Sequence, residues 1–238
     1  MSKVRSYLSL IKFSHTIFAM PFALIGFFLA IFQNEHFGSA STNPSLVYSQ
    51  DFSEDSLGLK LMTGYNPYFA IPLYLLLVIL CMIFARSAAM AFNRYLDRQF
   101  DAKNPRTAIR EIPSGIISPK NALTFTIVSC ILFIVTTFFI NKLCFYLSPV
   151  ALAVVLGYSY TKRFTPLCHL ILGLGLSLAP IGAYLAVTGA FHLLPILFSL
   201  AVLFWVSGFD IIYALQDEEF DRTQQLYSVP AWLGKAKA

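Results

Sequence analysis

Two acidic clusters interrupt an otherwise apolar chain. One is R-S-A-A-M-A-F-N-R-Y-L-D-R-Q-F-D, from Arg86 to Asp101, and the other is D-I-I-Y-A-L-Q-D-E-E-F-D, from Asp210 to Asp221. A helix advances about 100° per residue, so with Asn93 at zero, Arg86, Asp97 and Asp101 project at about 20°, 40° and 80°. These four share a face if one helix runs through them. Asp210, Asp217 and Asp221 fall within about 40° of one another on the same assumption. Carboxylates gathered this way repel, and burial raises the cost. A divalent cation resolves that cost. Oxygen donors suit a hard ion such as Mg²⁺, which keeps some waters and is shared with substrate phosphates. The chemistry is that of an ion neutralising a leaving pyrophosphate. Asn93 and Gln216 add neutral amide oxygens that can ligate the metal or orient its water. A solvated helix end would explain a single D-x-x-x-D. Two stripes, one of them starting with an intramembrane Asp, point to a site.

Basic residues lie between the two stripes in sequence, on the same side of the membrane. Arg106 and Arg110 lie in N-P-R-T-A-I-R-E-I-P-S-G, and Lys162 and Arg163 lie in Y-S-Y-T-K-R-F-T. A guanidinium offers forked donors to phosphate. Each of these four is either a diphosphate contact or an ordinary residue of a basic membrane face. Arg86 sits about two turns deeper than Asn93 on the same face. An Arg at that depth needs a partner. The choices are Asp97, Asp210 or an anionic group of a substrate.

The elements that carry these residues follow from composition. Of 238 residues, 57% are hydrophobic and 12% are charged, about half the ~25% usual in soluble domains. Mean hydropathy is +0.68. A disordered chain, a coiled coil and a disulfide scaffold are excluded, and too few charges exist to cover a soluble globule. About 20 apolar residues cross a bilayer as a helix. Six segments qualify: Phe13–Phe32, Tyr68–Phe92, Ala122–Ile140, Leu143–Tyr160, Leu167–Val187 and Phe191–Ile212. The runs are continuous, unlike the alternating strands of a β-barrel. The first is too long for a signal-peptide core and is read as a span. The expected fold is an all-α polytopic membrane bundle, a single domain over residues 1–238.

Of the 17 Lys and Arg, fourteen fall on one side of these spans and two on the other, with Arg86 inside one. The N-terminus, the 93–121 and 161–166 connections and the C-terminal tail are therefore expected to be cytoplasmic. Topology accounts for the net charge of +5 without nucleic acid. The 34–67 connection, long and acidic, reads as an extracytoplasmic loop. Cys81, Cys130, Cys144 and Cys168 form no metal or redox motif. His15, His36, His169 and His192 are scattered, and none is assigned chemistry.

N-R-Y-L-D-R-Q-F-D with the trailing R-T-A-I-R-E-I-P-S-G, then Y-S-Y-T-K-R-F-T, then D-I-I-Y-A-L-Q-D-E-E-F-D, resemble the motifs of UbiA-type intramembrane prenyltransferases. The similarity is to the 4-hydroxybenzoate polyprenyltransferase branch and covers nearly the whole chain. It implies a helical bundle around a central cavity, Mg²⁺, a polyprenyl diphosphate donor, an aromatic acid acceptor, and a multi-pass place in a bacterial inner membrane. By position it implies a first metal site at Asn93, Asp97 and Asp101. The second is at Asp217 and Asp221, supported by Asp210 and Tyr213. Arg106, Arg110, Lys162 and Arg163 become diphosphate contacts. Arg94 stands where many members have Asp, and Glu111 where many have Pro. Those departures leave the acceptor open between 4-hydroxybenzoate and a dihydroxynaphthoate. The family usually has nine spans, so an incomplete C-terminal wall is expected, and an inactive fragment is one alternative. A transporter is another, although the acidic groups cluster at one mouth and no matching halves are evident.

Overall fold

A computed structural model of the chain describes residues 3–33 and 67–238, and every regular element there is helical. The acidic 34–67 connection lies outside the described residues, apart from Pro67. The helices are α1 (Lys3–Leu10), α2 (Phe13–Gln33), α3 (Pro67–Asp101), α4 (Pro119–Ile140), α5 (Lys142–Thr161), α6 (Cys168–Thr188), α7 (Leu193–Ala214), α8 (Glu218–Thr223) and α9 (Val229–Leu233). A 3₁₀ turn, Leu215–Asp217, joins α7 to α8.

Among the described residues five helices are long and apolar enough to cross a membrane. These are α3 to α7, the first stretch running Ile71–Asp101 and the last Leu193–Thr223. The expected first span is present as the 21-residue helix α2, which includes the apolar stretch Ala19–Phe32. The protein is thus an all-α, multi-pass membrane protein.

Helix α6 is the hub. It packs against α2, α5 and α7, while α3 packs against α4 and α5. Small residues set the closest approaches. Gly26 of α2 lies against the Pro180 carbonyl of α6, and Gly173 of α6 lies against Leu203 and Ser207 of α7. This is the small-residue packing that membrane helices use when hydrophobicity alone cannot hold them together. One apolar cluster joins Ala23 and Phe27 of α2, Tyr74 and Val78 of α3, and Ala183 and Val187 of α6. A smaller one, at the other end of α3, joins Leu10, Ala91, Ile112, Ile117 and Ala122. The outward faces stay apolar, as Phe204, Trp205, Phe209 and Ile212 on α7 show. That is where lipid replaces water as solvent.

Helix ends are closed by local chemistry. Ser118 caps α4 by accepting from Asn121 N–H at 3.2 Å, with Pro119 following. Pro at the first helical position loses no bond. Asn141 turns the chain between α4 and α5. Its Oδ1 accepts from Cys144 N–H at 2.7 Å, and its Nδ2 donates to Leu185 O at 2.9 Å. That ties the turn to α6.

Candidate active site

The 35 residues of α3 span about 50 Å at ~1.5 Å each, well beyond a ~30 Å hydrocarbon layer. Its last turns therefore lift Asn93, Asp97 and Asp101 to the basic end of the bundle. The helix runs unbroken to Asp101, as the first stripe requires. The second stripe differs from expectation. The chain leaves α-helical form after Ala214 and passes through the 3₁₀ turn before α8 begins. Asp210 and Asp217 therefore belong to different helical segments. The turn bends the chain and leaves Gln216 exposed, outside the pocket lining.

One pocket collects both stripes. Asn93, Asp97 and Asp101 line it from α3, and Asp210, Tyr213, Asp217 and Asp221 line it from the α7–α8 segment. Arg106, Arg110 and Lys162 line it as well. Two expected site residues do not. Arg163 lies outside, with its guanidinium over the Phe100 and Tyr160 rings, donating to Leu96 O at 3.0 Å and 3.7 Å from Asp97 Oδ1. Arg86 lies deeper in α3, also outside the lining. Its Nε is buried with no hydrogen-bond partner, and it forms no ion pair among the described residues. Of its three possible partners, Asp97 and Asp210 are thus taken by other groups.

The bases and acids of the pocket are interleaved. Arg106 forks onto Asp217, with Nε 3.1 Å from Oδ1 and Nη2 donating to Oδ2, and its Nη1 donates to Tyr213 Oη at 3.1 Å. Arg110 Nη1 donates to both oxygens of Asp101, at 2.7 and 2.9 Å. Asn93 Nδ2 donates to Asp97 Oδ2 at 3.3 Å, one helical turn away. Lys162 Nζ is 2.7 Å from Asp221 Oδ1. That ion pair is the one side-chain partner of the buried Asp221 carboxylate among the described residues.

Several contributors were not visible as site residues in the sequence. Asn104 Nδ2 donates to Asp217 Oδ1 at 3.2 Å, and its Oδ1 accepts from Arg106 N–H at 3.0 Å. One Asn side chain therefore orients both partners of the Arg106–Asp217 pair. Thr107 Oγ1 donates to the Asp101 carbonyl at 3.0 Å and folds the loop back on the helix end. His169 is the larger omission. It lines the pocket and sits 2.7 Å from Asp210. Asn-Pro-Arg in a loop is a weak turn signal for Asn104. No local signal marks His169.

The two departures from the family motifs form one contact. Arg94 Nη1 is 3.2 Å from Glu111 Oε2, with side chains 5% and 12% exposed. Ser9 of α1 donates to the other Glu111 oxygen. The pair thus clamps α1, α3 and the 102–118 loop, beside Arg110. Glu111→Ala is expected to lower the apparent melting temperature in detergent, because it strands a buried Arg at a cost of about 3–5 kcal/mol. The double variant Arg94→Met with Glu111→Leu is expected to recover most of that loss. An unchanged melting temperature in Glu111→Ala would show that the pair holds nothing.

Charge balance in the pocket shifts titration outside the spans. Burial disfavours the Lys162 cation, but Asp221, Asp97 and Asp217 outweigh it and hold its pKa above the usual lysine range. Burial likewise works against Arg106, and Asp217 more than restores it, so its pKa is raised. Lys12, at the α1–α2 junction with φ 44°, has no such acid. Burial leads its pKa below the usual value; Tyr213 opposes this, and Arg94, Arg110 and Arg106 add to it. Lys12 thus lies within reach of three Arg side chains, beside a pocket whose five aspartates outnumber its three Lys and Arg.

Among the described residues no three His, Cys, Asp or Glu side chains converge on one point. Mg²⁺ does not require that, since one or two carboxylates plus substrate phosphates commonly hold it. The buried Asp221 carboxylate, with Lys162 as its one side-chain partner among the described residues, fits such an ion beside Asp97, Asp101 and Asp217 in an all-oxygen donor set.

Known proteins carry the same architecture. A homologue from Aeropyrum pernix K1, described as a UbiA homolog, superposes with a TM-score of 0.71 at 30% identity, over 93% of this chain and 70% of that one. An Archaeoglobus fulgidus UbiA homolog bound to GPP and Mg²⁺ shares the fold, with a TM-score of 0.58 and 22% identity over 96% and 69%. The 4-hydroxybenzoate octaprenyltransferase of Tolumonas auensis is 35% identical over 148 residues, 62% of this chain and 52% of that protein. That of Aeromonas salmonicida is 34% identical over 164 residues, 68% and 57%. The chain spans about half the length of the curated relatives it matches. Residues 58–238 match the UbiA prenyltransferase family, and the chain belongs to that family.

Proposed function

We propose that this protein transfers a polyprenyl group from polyprenyl diphosphate to an aromatic acid, with 4-hydroxybenzoate the first choice and a dihydroxynaphthoate the second. The observation that carries this reading is the convergence of two acidic stripes and three bases on one pocket, with Arg86 unpaired below them. The relatives named for octaprenyl transfer to 4-hydroxybenzoate support the acceptor class. We take the basic end to face the cytoplasm, in line with the distribution of Lys and Arg.

Asn93, Asp97, Asp101, Asp217 and Asp221 would hold Mg²⁺, which when bound neutralises charge on the departing pyrophosphate. Arg106, Arg110 and Lys162 are positioned to trade their carboxylate partners for phosphate oxygens as the donor enters. Arg163, held outside the lining, supports Asp97 and reaches phosphate only by moving. The allylic C–O bond breaks with its electrons on the pyrophosphate. The ring carbon of the acceptor then bonds to the allylic carbon and loses its proton. Asp210 is placed to take that proton, because its Oδ1 accepts no hydrogen bond among the described residues. Apolar walls keep water from the carbocation.

In this reading Arg86 receives the acceptor's carboxylate. Its buried Nε has no hydrogen-bond partner, and no carboxylate among the described residues forms an ion pair with it. In membranes supplied with radiolabelled polyprenyl diphosphate and Mg²⁺, the chain is expected to yield prenylated 4-hydroxybenzoate. Arg86→Ala is expected to raise the KM for the aromatic acid by about 10–100-fold, the loss of one charged hydrogen-bonded contact. The KM for the diphosphate should be unaffected. Absence of product with every aromatic acid tried would overturn the proposed function. An Arg86→Ala effect on the diphosphate alone would move the carboxylate site elsewhere.

A further inference from the structure

We propose that His169 is a positioning residue for Asp210, a strut of fixed tautomer that joins the pocket to the 226–229 segment. The proposal rests on the transfer reading above. His169 is 3% exposed on the first turn of α6, and both its ring nitrogens are engaged. Nδ1 lies 2.7 Å from Asp210 Oδ2. Val229 N–H points at Nε2 from 3.3 Å. A backbone N–H can only donate, so Nε2 must present its lone pair. The ring proton is therefore on Nδ1, where it is donated to Asp210. The second hydrogen bond thus selects one tautomer of the ring.

This arrangement gives the two oxygens of Asp210 different roles. Oδ2 is clamped by the ring, and Oδ1 accepts no hydrogen bond among the described residues. The carboxylate torsion of Asp is otherwise broad, so the clamp selects which oxygen faces the acceptor. The other end of the strut is equally built. Tyr227 N–H donates to Lys162 O at 2.8 Å, and Cys168 Sγ donates to Tyr227 O at 3.5 Å. Leu226 N–H donates to Asp221 O at 2.8 Å. The segment that fixes the His169 tautomer thus also ties the backbones of Lys162 and Asp221. Ser228, in the same segment, lines the pocket and caps α9. His169 keeps its own proton throughout; it acts by holding Asp210 still.

The test uses the full chain. His169→Asn keeps an amide N–H near the Nδ1 position and loses the bond to Val229, while His169→Leu loses both. His169→Leu is expected to lower kcat by about 10–100-fold, as removal of an orienting partner does elsewhere. The KM for the prenyl diphosphate should stay within about twofold, and His169→Asn should recover most of the rate. An unchanged kcat in His169→Leu, or a His169→Asn as slow as His169→Leu, would overturn the proposal. Nitrogen-15 NMR of histidine-labelled protein in micelles reads the ring directly. The expected signature is protonated Nδ1 and bare Nε2, with Nδ1 shifting in Asp210→Asn. An Nε2-protonated ring, or no response to Asp210→Asn, would reject the strut even where turnover is not detected. Failure of wild-type turnover with the expected ring signature would instead reject the transfer reading and leave the strut in place.

Discussion

Asp221→Asn is expected to reduce prenyl transfer by about 10²–10³-fold, the scale on which loss of one charge-stabilising group is felt, while the protein still folds. Asp221 is 0% exposed, and among the described residues Lys162 is the one side chain that partners it. A carboxylate in that condition is costly to bury, and Lys162 alone compensates it. Asn keeps the shape and removes the charge, so packing around α8 survives. It removes a hard anionic donor from the second stripe and frees Lys162 from its ion-pair partner. Chelation by EDTA should silence the wild type in the same way, and added Mg²⁺ should restore the wild type but not the variant. The measurement is initial rate in membranes, with detergent-solubilised melting as the control for folding. A variant as fast as wild type would remove Asp221 from the proposed metal site.

The second large effect lies far from the chemistry. Gly26→Val is expected to prevent assembly of α2 on α6. Even a single Cβ at Gly26 would fall inside the contact distance of the Pro180 carbonyl oxygen and carbon. The opposing atoms are backbone, so no rotamer change relieves the clash. Overpacking commonly costs about 1–3 kcal/mol and more where nothing can move. The upper end or beyond applies here. The α2–α6 contact also organises the apolar cluster around Phe27 and Tyr184. Size-exclusion profiles and apparent melting temperatures in detergent read the outcome. Gly182→Ala, on the same α6 with nothing within 4 Å of its added carbon, is the matched control and should behave as wild type. A monodisperse Gly26→Val with wild-type melting would show that the helices approach less closely than described.

The spans and the acidic stripes were legible in the chain because both depend on neighbours in sequence. Apolar runs of bilayer length mark α3 to α7, and a 3.6-residue period places Asn93, Asp97 and Asp101 on one face of α3. The same local rule misjudged the second stripe. It assumed one regular helix from Asp210 to Asp221, where a 3₁₀ turn intervenes at Leu215–Asp217. The motifs also named Arg106, Arg110 and Lys162 as site residues, and the fold brings them into the pocket.

Pairing was a different matter. Arg106 meets Asp217 across 111 residues, and His169 meets Asp210 across 41. Three partners for Arg86 were open in the sequence, and packing supplies no ion pair for it among the described residues. Arg94 and Glu111 looked like two unrelated departures and turn out to be one clamp. The reason is physical. Hydropathy and helical period are properties of a segment, whereas an ion pair exists only after α3, α6 and α7 have packed and fixed which side chains can reach each other.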